Sequence, residues 1–422
     1  VVPSRHEGAV AVFLEKEPNL TRRDFLQQSS AIASATVLAG CAHKPVQTTA
    51  APALPFWDRV PPLVPIRADE DRLFKMTVCT RPFRAQGPRI EGEKVGDKLV
   101  VHNYGHGGSG WSLSWGSGQI ALDLAFAGRD PGQTDIAVIG CGALGLTSAI
   151  LAQRAGARSV TIYAKDRPSE SRSFRATGSW TPDSRVALTK DAPAAFATQW
   201  EQMARTSWHY YQSFLGLPGT PVEFTDRYAL SDPEPHVAEQ QKRDEDPIGF
   251  AFYMDRIRDL NPHFQDLPAG SHPFPTKWAR RRTDMQFNIT SYVHQLTEDF
   301  QLNGGKIIAH EFHSPADFAA LPQPVILHST GYAARALFSD NSLTPVKGQI
   351  GWLIPQPEVN YGLYYGNLNV LARSDGIVVQ MNPKGEASGW NDASEIPNRA
   401  EALDGIHILQ SLYNRMKTPS SS

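Results

Sequence analysis

Residues 135–145 read DIAVIGCGALG, and this string decides the fold. The run Asp135–Ile139 is of strand type. Gly140-Cys141-Gly142-Ala143-Leu144-Gly145 follows at once, so GxGxxG falls at a strand-to-helix turn. The pattern predicts a helix over 144–154 and a second strand, SVTIYA, over 159–164, giving a β-α-β unit. Gly140 permits the tight turn, Gly142 lets a pyrophosphate approach the backbone, and Gly145 lets helix and sheet pack closely. The start of such a helix offers unpaired N–H groups and the positive end of its dipole to phosphate, with Ala143 and Leu144 inside the turn. Asp166 stands just past the second strand, where an acid would hold ribose hydroxyls. Its neighbour Lys165 would either meet phosphate or stay in solvent. Dinucleotide binding is the expectation.

Working outward, residues 102–116 read HNYGHGGSGWSLSWG and lead into a helical pattern through QIALDLAFA. Upstream lies RPFRAQGPRIE, residues 81–91. Together these strings resemble the closing signature of the D-amino-acid oxidase family. SRSFRATGSW (171–180), VILHSTGYAARAL (325–337), VKGQIGWL (346–353) and NVLARSDGIVV (369–379) resemble further segments of that family. The resemblance implies a Rossmann-type FAD-binding domain with a parallel sheet, and a substrate domain on a mixed or antiparallel sheet. It implies noncovalent FAD, with Gly107, Ser109, Gly110, Trp111 and Ser112 along the isoalloxazine, and Ser173, Thr177 and Gly178 along the pyrophosphate and flavin. Arg81 matches the family's carboxylate-binding arginine, and its fork suits a bidentate contact. Gly108 matches the position whose carbonyl accepts from the substrate amine. Tyr365 or Tyr364 matches a second active-site tyrosine of the family. The sequence departs from the family at Asn369, where a Tyr is usual, and at Met381-Asn382, where two glycines are usual. Arg84 and Arg89 are expected to be structural, and His102 and His106 to be structural hydrogen bonders.

The order is unusual. In the family the Arg-Pro and HNYGHGG strings close the chain, whereas here they precede GxGxxG. The sequence therefore reads as a circular permutant, joined through AGRDPGQT (127–134), with its new ends near Asp69 and Lys417. The expected divisions are 69–101 in the substrate domain, 102–215 as the FAD-binding core, 216–283 in the substrate domain, 284–345 back in the FAD-binding domain, and 346–417 as substrate sheet and terminal helix.

The first residues read as an address. TRRDFLQ at 21–27 resembles a twin-arginine export signal, AIASATVLA at 31–39 is too short to span a bilayer, and LAGC at 38–41 resembles a lipobox. The expectation is export in folded form and lipid anchoring at Cys41, on the periplasmic side of a bacterial membrane, with 42–68 as a flexible tether. A net charge of −2 over 422 residues provides no bulk field for nucleic acid, and Arg280-Arg281-Arg282 reads as a solvated face. Cys79 and Cys141 read as small buried residues or one bridge. No metal is expected. The expected activity is oxidation of a D-amino acid or related amine to the imino acid, with oxygen or another acceptor taking the electrons. The alternatives are a membrane-tethered dehydrogenase using a quinone-type acceptor and a catalytically impaired flavin-binding envelope protein. Oligomeric state is not readable.

Overall fold

The computed structural model describes residues 59–235 and 246–416. The export signal, the lipobox and most of the tether lie outside these residues. Two sheets organise the rest. The first begins with an antiparallel pair, β2 (Arg89–Val95) and β3 (Lys98–Tyr104). Beside β3, and parallel to it, comes β10 (Val325–His328), followed by β4 (Asp135–Ile139), β5 (Ser159–Ala164) and β9 (Lys306–Ala309). Fully buried runs such as Ile136–Val138 and Val325–Leu327 suit a parallel sheet covered on both faces.

Helix α1 (Gly110–Phe126) and α2 (Ala143–Arg154) cover one face. Their mutual approach depends on small residues. A Cβ at Gly118 would meet Leu151 and Ser148 of α2 at 3.0 and 3.2 Å, and one at Gly116 would run into the backbone at Met203. Met203 belongs to α3 (Phe196–Gln212). Trp115 on α1 is fully buried and donates from Nε1 to Tyr292 Oη at 2.8 Å, on α4 (Ile289–Leu302). Truncating such a residue to Ala costs about 3–5 kcal/mol. The main neighbours of α1 are α2, α3 and β3.

The second sheet runs β1 (Leu73–Arg84), β11 (Leu343–Leu353), β14 (Gly376–Met381), β13 (Leu368–Arg373), β12 (Tyr361–Tyr365), β6 (Val222–Ser231), β8 (Trp278–Phe287), β7 (Gln265–Asp266). It is antiparallel except where β12 meets β6. The helix α5 (Arg399–Asn414) lies on its outer face over a core that includes Leu363, Val370, Val379 and Ile406.

Four boundaries differ from the sequence reading. β2 and β3 belong to the first sheet, so only β1 of the 69–101 segment joins the substrate side. β8 runs to Phe287 and β11 starts at Leu343, because strand pairing continues past the places where composition changes. The described end of the tether is packed: Ile66 and Ala68 are buried against the outer core, and Tyr361 Oη donates to Val64 O at 2.8 Å. Arg280-Arg281-Arg282 is half-buried within β8, with Arg282 paired to Asp284 at 2.6 Å and set over the Phe264 ring at 4.2 Å. Cys79 and Cys141 are both free thiols.

Candidate active site

A cavity of about 510 Å³ opens where the two sheets meet, within the usual range for small-molecule sites. Three backbone turns form its floor. At the first, Gly140 sits at φ +102°, a left-handed conformation that disfavours side chains. A Cβ at Gly145 would run into Gly140 O, and one at Gly142 would stand 2.8 Å from Ser173 Oγ. Gly140, Gly142, Ala143 and Leu144 reach the cavity, whereas Gly145 works one layer below, letting α2 approach β4. Ser173 ties the helices together: its Oγ accepts from Ala143 N at 3.1 Å, and its carbonyl accepts from Trp111 Nε1 at 2.8 Å.

The second turn, residues 105–110, is held by distant partners. Gly107 N donates to Pro82 O at 2.8 Å and Gly108 N to Ser184 O at 3.0 Å. Gly107 has φ +55°, and a Cβ there would run into Arg185 O. Those two N–H groups are therefore engaged within the protein. The first turn of α1 leaves the N–H groups of Gly110, Trp111 and Ser112 without i−4 partners, so these are the donors available at that helix end. Ser109 and Ser112 do not reach the cavity. Ser109 Oγ donates to Ser184 O at 3.0 Å and Ser112 Oγ accepts from Thr181 N at 2.8 Å, so both fix the 181–184 loop. The third turn, Ser329–Gly331, follows β10.

Lys165 and Asp166 stand at one end of the cavity, beside His310–His313. Lys165 pairs with Glu311 at 3.5 Å. Thr177 lines the middle; Gly178 lies behind it, its carbonyl accepting from Phe287 N at 2.7 Å. Arg81, Gly108 and Gly348 mark the other end. Arg81 Nη1 donates to Lys347 O at 2.9 Å, and a Cβ at Gly348 would overlap its guanidinium. No carboxylate pairs with Arg81 among the described residues.

Tyr365 is not brought to this site. Along β12, Tyr361, Leu363 and Tyr365 face the α5 core, and Tyr365 Oη accepts from Arg415 Nη2 at 3.0 Å. Tyr364 faces the other way, toward the inner side of the sheet, under the guanidinium of Arg227 at 4.3 Å. Strand alternation decides between the two neighbours.

The histidines separate into two kinds. His102 Nδ1 meets His328 Nδ1 at 2.8 Å, and His328 Nε2 meets Thr330 Oγ1 at 2.7 Å, so this pair is a hydrogen-bonded support for the third turn. His106, expected as a hydrogen bonder, has no protein partner at either ring nitrogen. It is buried in the cavity wall, and burial drives its pKa down to about 3, so the ring is neutral. Asp183 went unnoticed in the sequence. It accepts from Tyr253 N at 3.1 Å and Met254 N at 3.3 Å, and burial raises its pKa to about 6. Arg84 pairs with Asp340 at 3.7 Å and Arg89 with Glu93 at 3.0 Å, as structural residues.

Glycine cradles at Gly140, Gly142 and Gly107, two helix N-termini and an elongated cavity fit a dinucleotide with an attached ring system. A D-amino-acid oxidase of Dictyostelium discoideum is 28% identical over 217 residues, 51% of this chain and 56% of its own. The chain thus spans about half the length of that relative. A D-aspartate oxidase of Talaromyces thermophilus is 47% identical over 51 residues, 12% of this chain and 14% of that protein. An iminodiacetate oxidase of a Chelativorans species superposes with a TM-score of 0.47 at 14% identity, covering 66% of this chain and 79% of its own. The profile of the DAO family, described as FAD dependent oxidoreductase, matches residues 135–415. The chain belongs to this family of FAD-dependent oxidoreductases, and its cofactor is FAD.

Proposed function

We propose that this protein oxidises a D-amino acid or a closely related amine to the imino acid. FAD, when bound, supplies the acceptor for the hydride that leaves the substrate Cα. The observation that carries the reading is Arg81: a cavity-lining guanidinium with one N–H spent on Lys347 O and no carboxylate partner among the described residues. In this reading the rest of its fork holds the substrate carboxylate, and the Gly108 carbonyl accepts from the amine. The cofactor would be held at its adenosine end by Asp166, along the pyrophosphate by Gly140–Leu144, and at its ring by Gly107, Gly108, Gly110 and Trp111.

Replacing Arg81 with Ala tests it. Truncating one partner of a charged contact costs ~2–5 kcal/mol, roughly a 30- to several-thousand-fold loss in flavin reduction efficiency. FAD content should be unchanged. Equal rates of flavin bleaching per mole of bound FAD in the two proteins would remove Arg81 from the substrate.

We also propose that residues 69–134 supply what closes the chain in related proteins. Supporting this, the family match begins at Asp135, yet β3 and α1 complete the first sheet and its helical cover. Glu70 lies 2.6 Å from His407, and Gln410 donates to Asp69 at 3.2 Å, so the two ends adjoin. Joining 416 to 69 by a short linker and reopening the chain within 127–134 should then preserve FAD binding. Export and lipidation at Cys41 remain part of the proposal, tested by labelled fatty acid incorporation in wild type and Cys41→Ser. Among the described residues no helix is long and apolar enough to cross a membrane.

A further inference from the structure

Most arginines buried or half-buried between the sheets have an acid. Arg373 pairs with Asp375 at 2.5 Å, Arg185 with Glu386 at 2.9 Å, and Arg175 with Glu395 at 3.2 Å. Arg227, on β6, differs. It is 1% exposed, and the side chains it contacts are neutral. Nη2 donates to Asn369 Oδ1 at 2.6 Å, Nη1 to Ser179 Oγ at 3.4 Å, the Tyr364 ring lies 4.3 Å from the guanidinium, and Nε has no acceptor. Among the described residues no carboxylate pairs with it. The fold also makes room for it: a Cβ at Gly362 would stand 2.7 Å from Arg227 Cδ. A cation kept out of water without a counter-charge is unfavourable enough that an apolar side chain would serve packing better.

Its position gives the unpaired charge a use. Arg227 reaches Asn369 and Tyr364 on the inner face of the sheet whose β11 carries Ile350, a residue of the cavity wall. Gly351 and Val370 both pair with Val379, so Ile350 and Asn369 are level, two strands apart. Arg81 lies against Gly348, two residues further along β11. Two strand spacings and two residues of offset separate the contact points by roughly 10–12 Å. A dicarboxylate of aspartate or glutamate length, with a guanidinium at each end, bridges that span.

We infer that Arg227 binds a second carboxylate on the substrate, and that the preferred substrate is an acidic amino acid. This rests on the reading of Arg81 as the clamp for the first carboxylate. The FAD-loaded protein is mixed anaerobically with D-glutamate and D-glutamine, and with D-aspartate and D-asparagine, while flavin absorbance is followed. The acids should reduce the flavin with at least about 30-fold higher efficiency than their amides. Arg227→Met should erase that preference while sparing the amides, and Arg227→Lys should restore part of it. Amides that match the acids in wild type would overturn the inference and leave oxidation of amino acids standing. Bleaching by neither acids nor amides would also overturn the inference, and failure with every other D-amino acid as well would overturn the reading of the activity. Should Arg227→Met not fold, perturbation of the wild-type flavin spectrum decides: glutarate is expected to bind more tightly than butyrate, and equal affinities would contradict a second carboxylate site.

Discussion

The six-stranded sheet meets the cavity with backbone, and the eight-stranded sheet meets it with side chains. On the first, three strand-end turns deliver glycines and helix N-termini, and each turn is itself a short stretch of chain. On the second, Arg81 lines the cavity from β1, while Tyr364 and Arg227 stand further along the inner face of the sheet on β12 and β6; the direction of each depends on register. Backbone contacts tolerate almost no added volume, whereas side-chain contacts can be trimmed in steps. The two regions should therefore fail differently.

Beyond Arg81→Ala, the largest effect is expected on the backbone side. Valine at Gly142 would force its Cβ against Ser173 Oγ and fill the space above the turn. Overpacking of this kind costs about 2–3 kcal/mol, which is roughly 100-fold in affinity for FAD. The flavin-to-protein ratio after purification measures it. A stoichiometric yellow protein would mean that the cradle at 140–145 is not where the nucleotide lies.

On the side-chain side, two adjacent tyrosines provide a graded comparison. Tyr364→Leu removes the ring beside Arg227, a cation–π contact of about 0.5–2 kcal/mol, and should lower flavin reduction roughly tenfold. Tyr365→Leu touches only Arg415 and the outer core, and should leave the rate per bound flavin unchanged. Equal losses in both variants would contradict the inward direction of Tyr364.

The smallest effect concerns the seam between the two regions, where His106 bridges to Phe83. Its pKa is about 3 in the folded chain, against an ordinary value of 6.5. The unfolded chain thus takes up the proton first. The stability from a neutral His106 is complete above pH 6.5 and is lost as pH falls toward 3. At pH 5.5 the loss is roughly 1 kcal/mol. Relative to wild type, His106→Phe should gain about that much in denaturant unfolding on going from pH 7.5 to 5.5. An identical pH dependence in the two proteins would show that His106 is solvated.

The same division explains what the sequence could convey. DIAVIGCGALG states strand, turn and helix within eleven consecutive residues, so the Rossmann unit and its glycines were legible. The second glycine cluster was legible as a turn, but its donors were not, since Gly107 and Gly108 spend their N–H groups on Pro82 and Ser184. Tyr364 and Tyr365 could not be told apart without the register of β12 against β13 and β6. The strand β2 was assigned to the wrong sheet because its alternating, charged sequence suits an edge strand anywhere. Arg227 drew no notice, because DRYALS looks like any half-buried strand and its missing counter-charge is a property of the assembled sheet. Asp183 sits in an ordinary loop sequence, and only packing shifts its proton affinity.

The central claim is that one sheet holds FAD while Arg81, from the other, holds an amino-acid carboxylate against it. Its most direct test is anaerobic mixing of the FAD-loaded wild-type protein with a panel of D-amino acids, each beside the amine that lacks its carboxylate. The flavin absorbance should bleach with one or more of the amino acids and stay unchanged with the matching amines at the same concentration. Bleaching by the amines to the same extent, or by no member of the panel, would contradict the account.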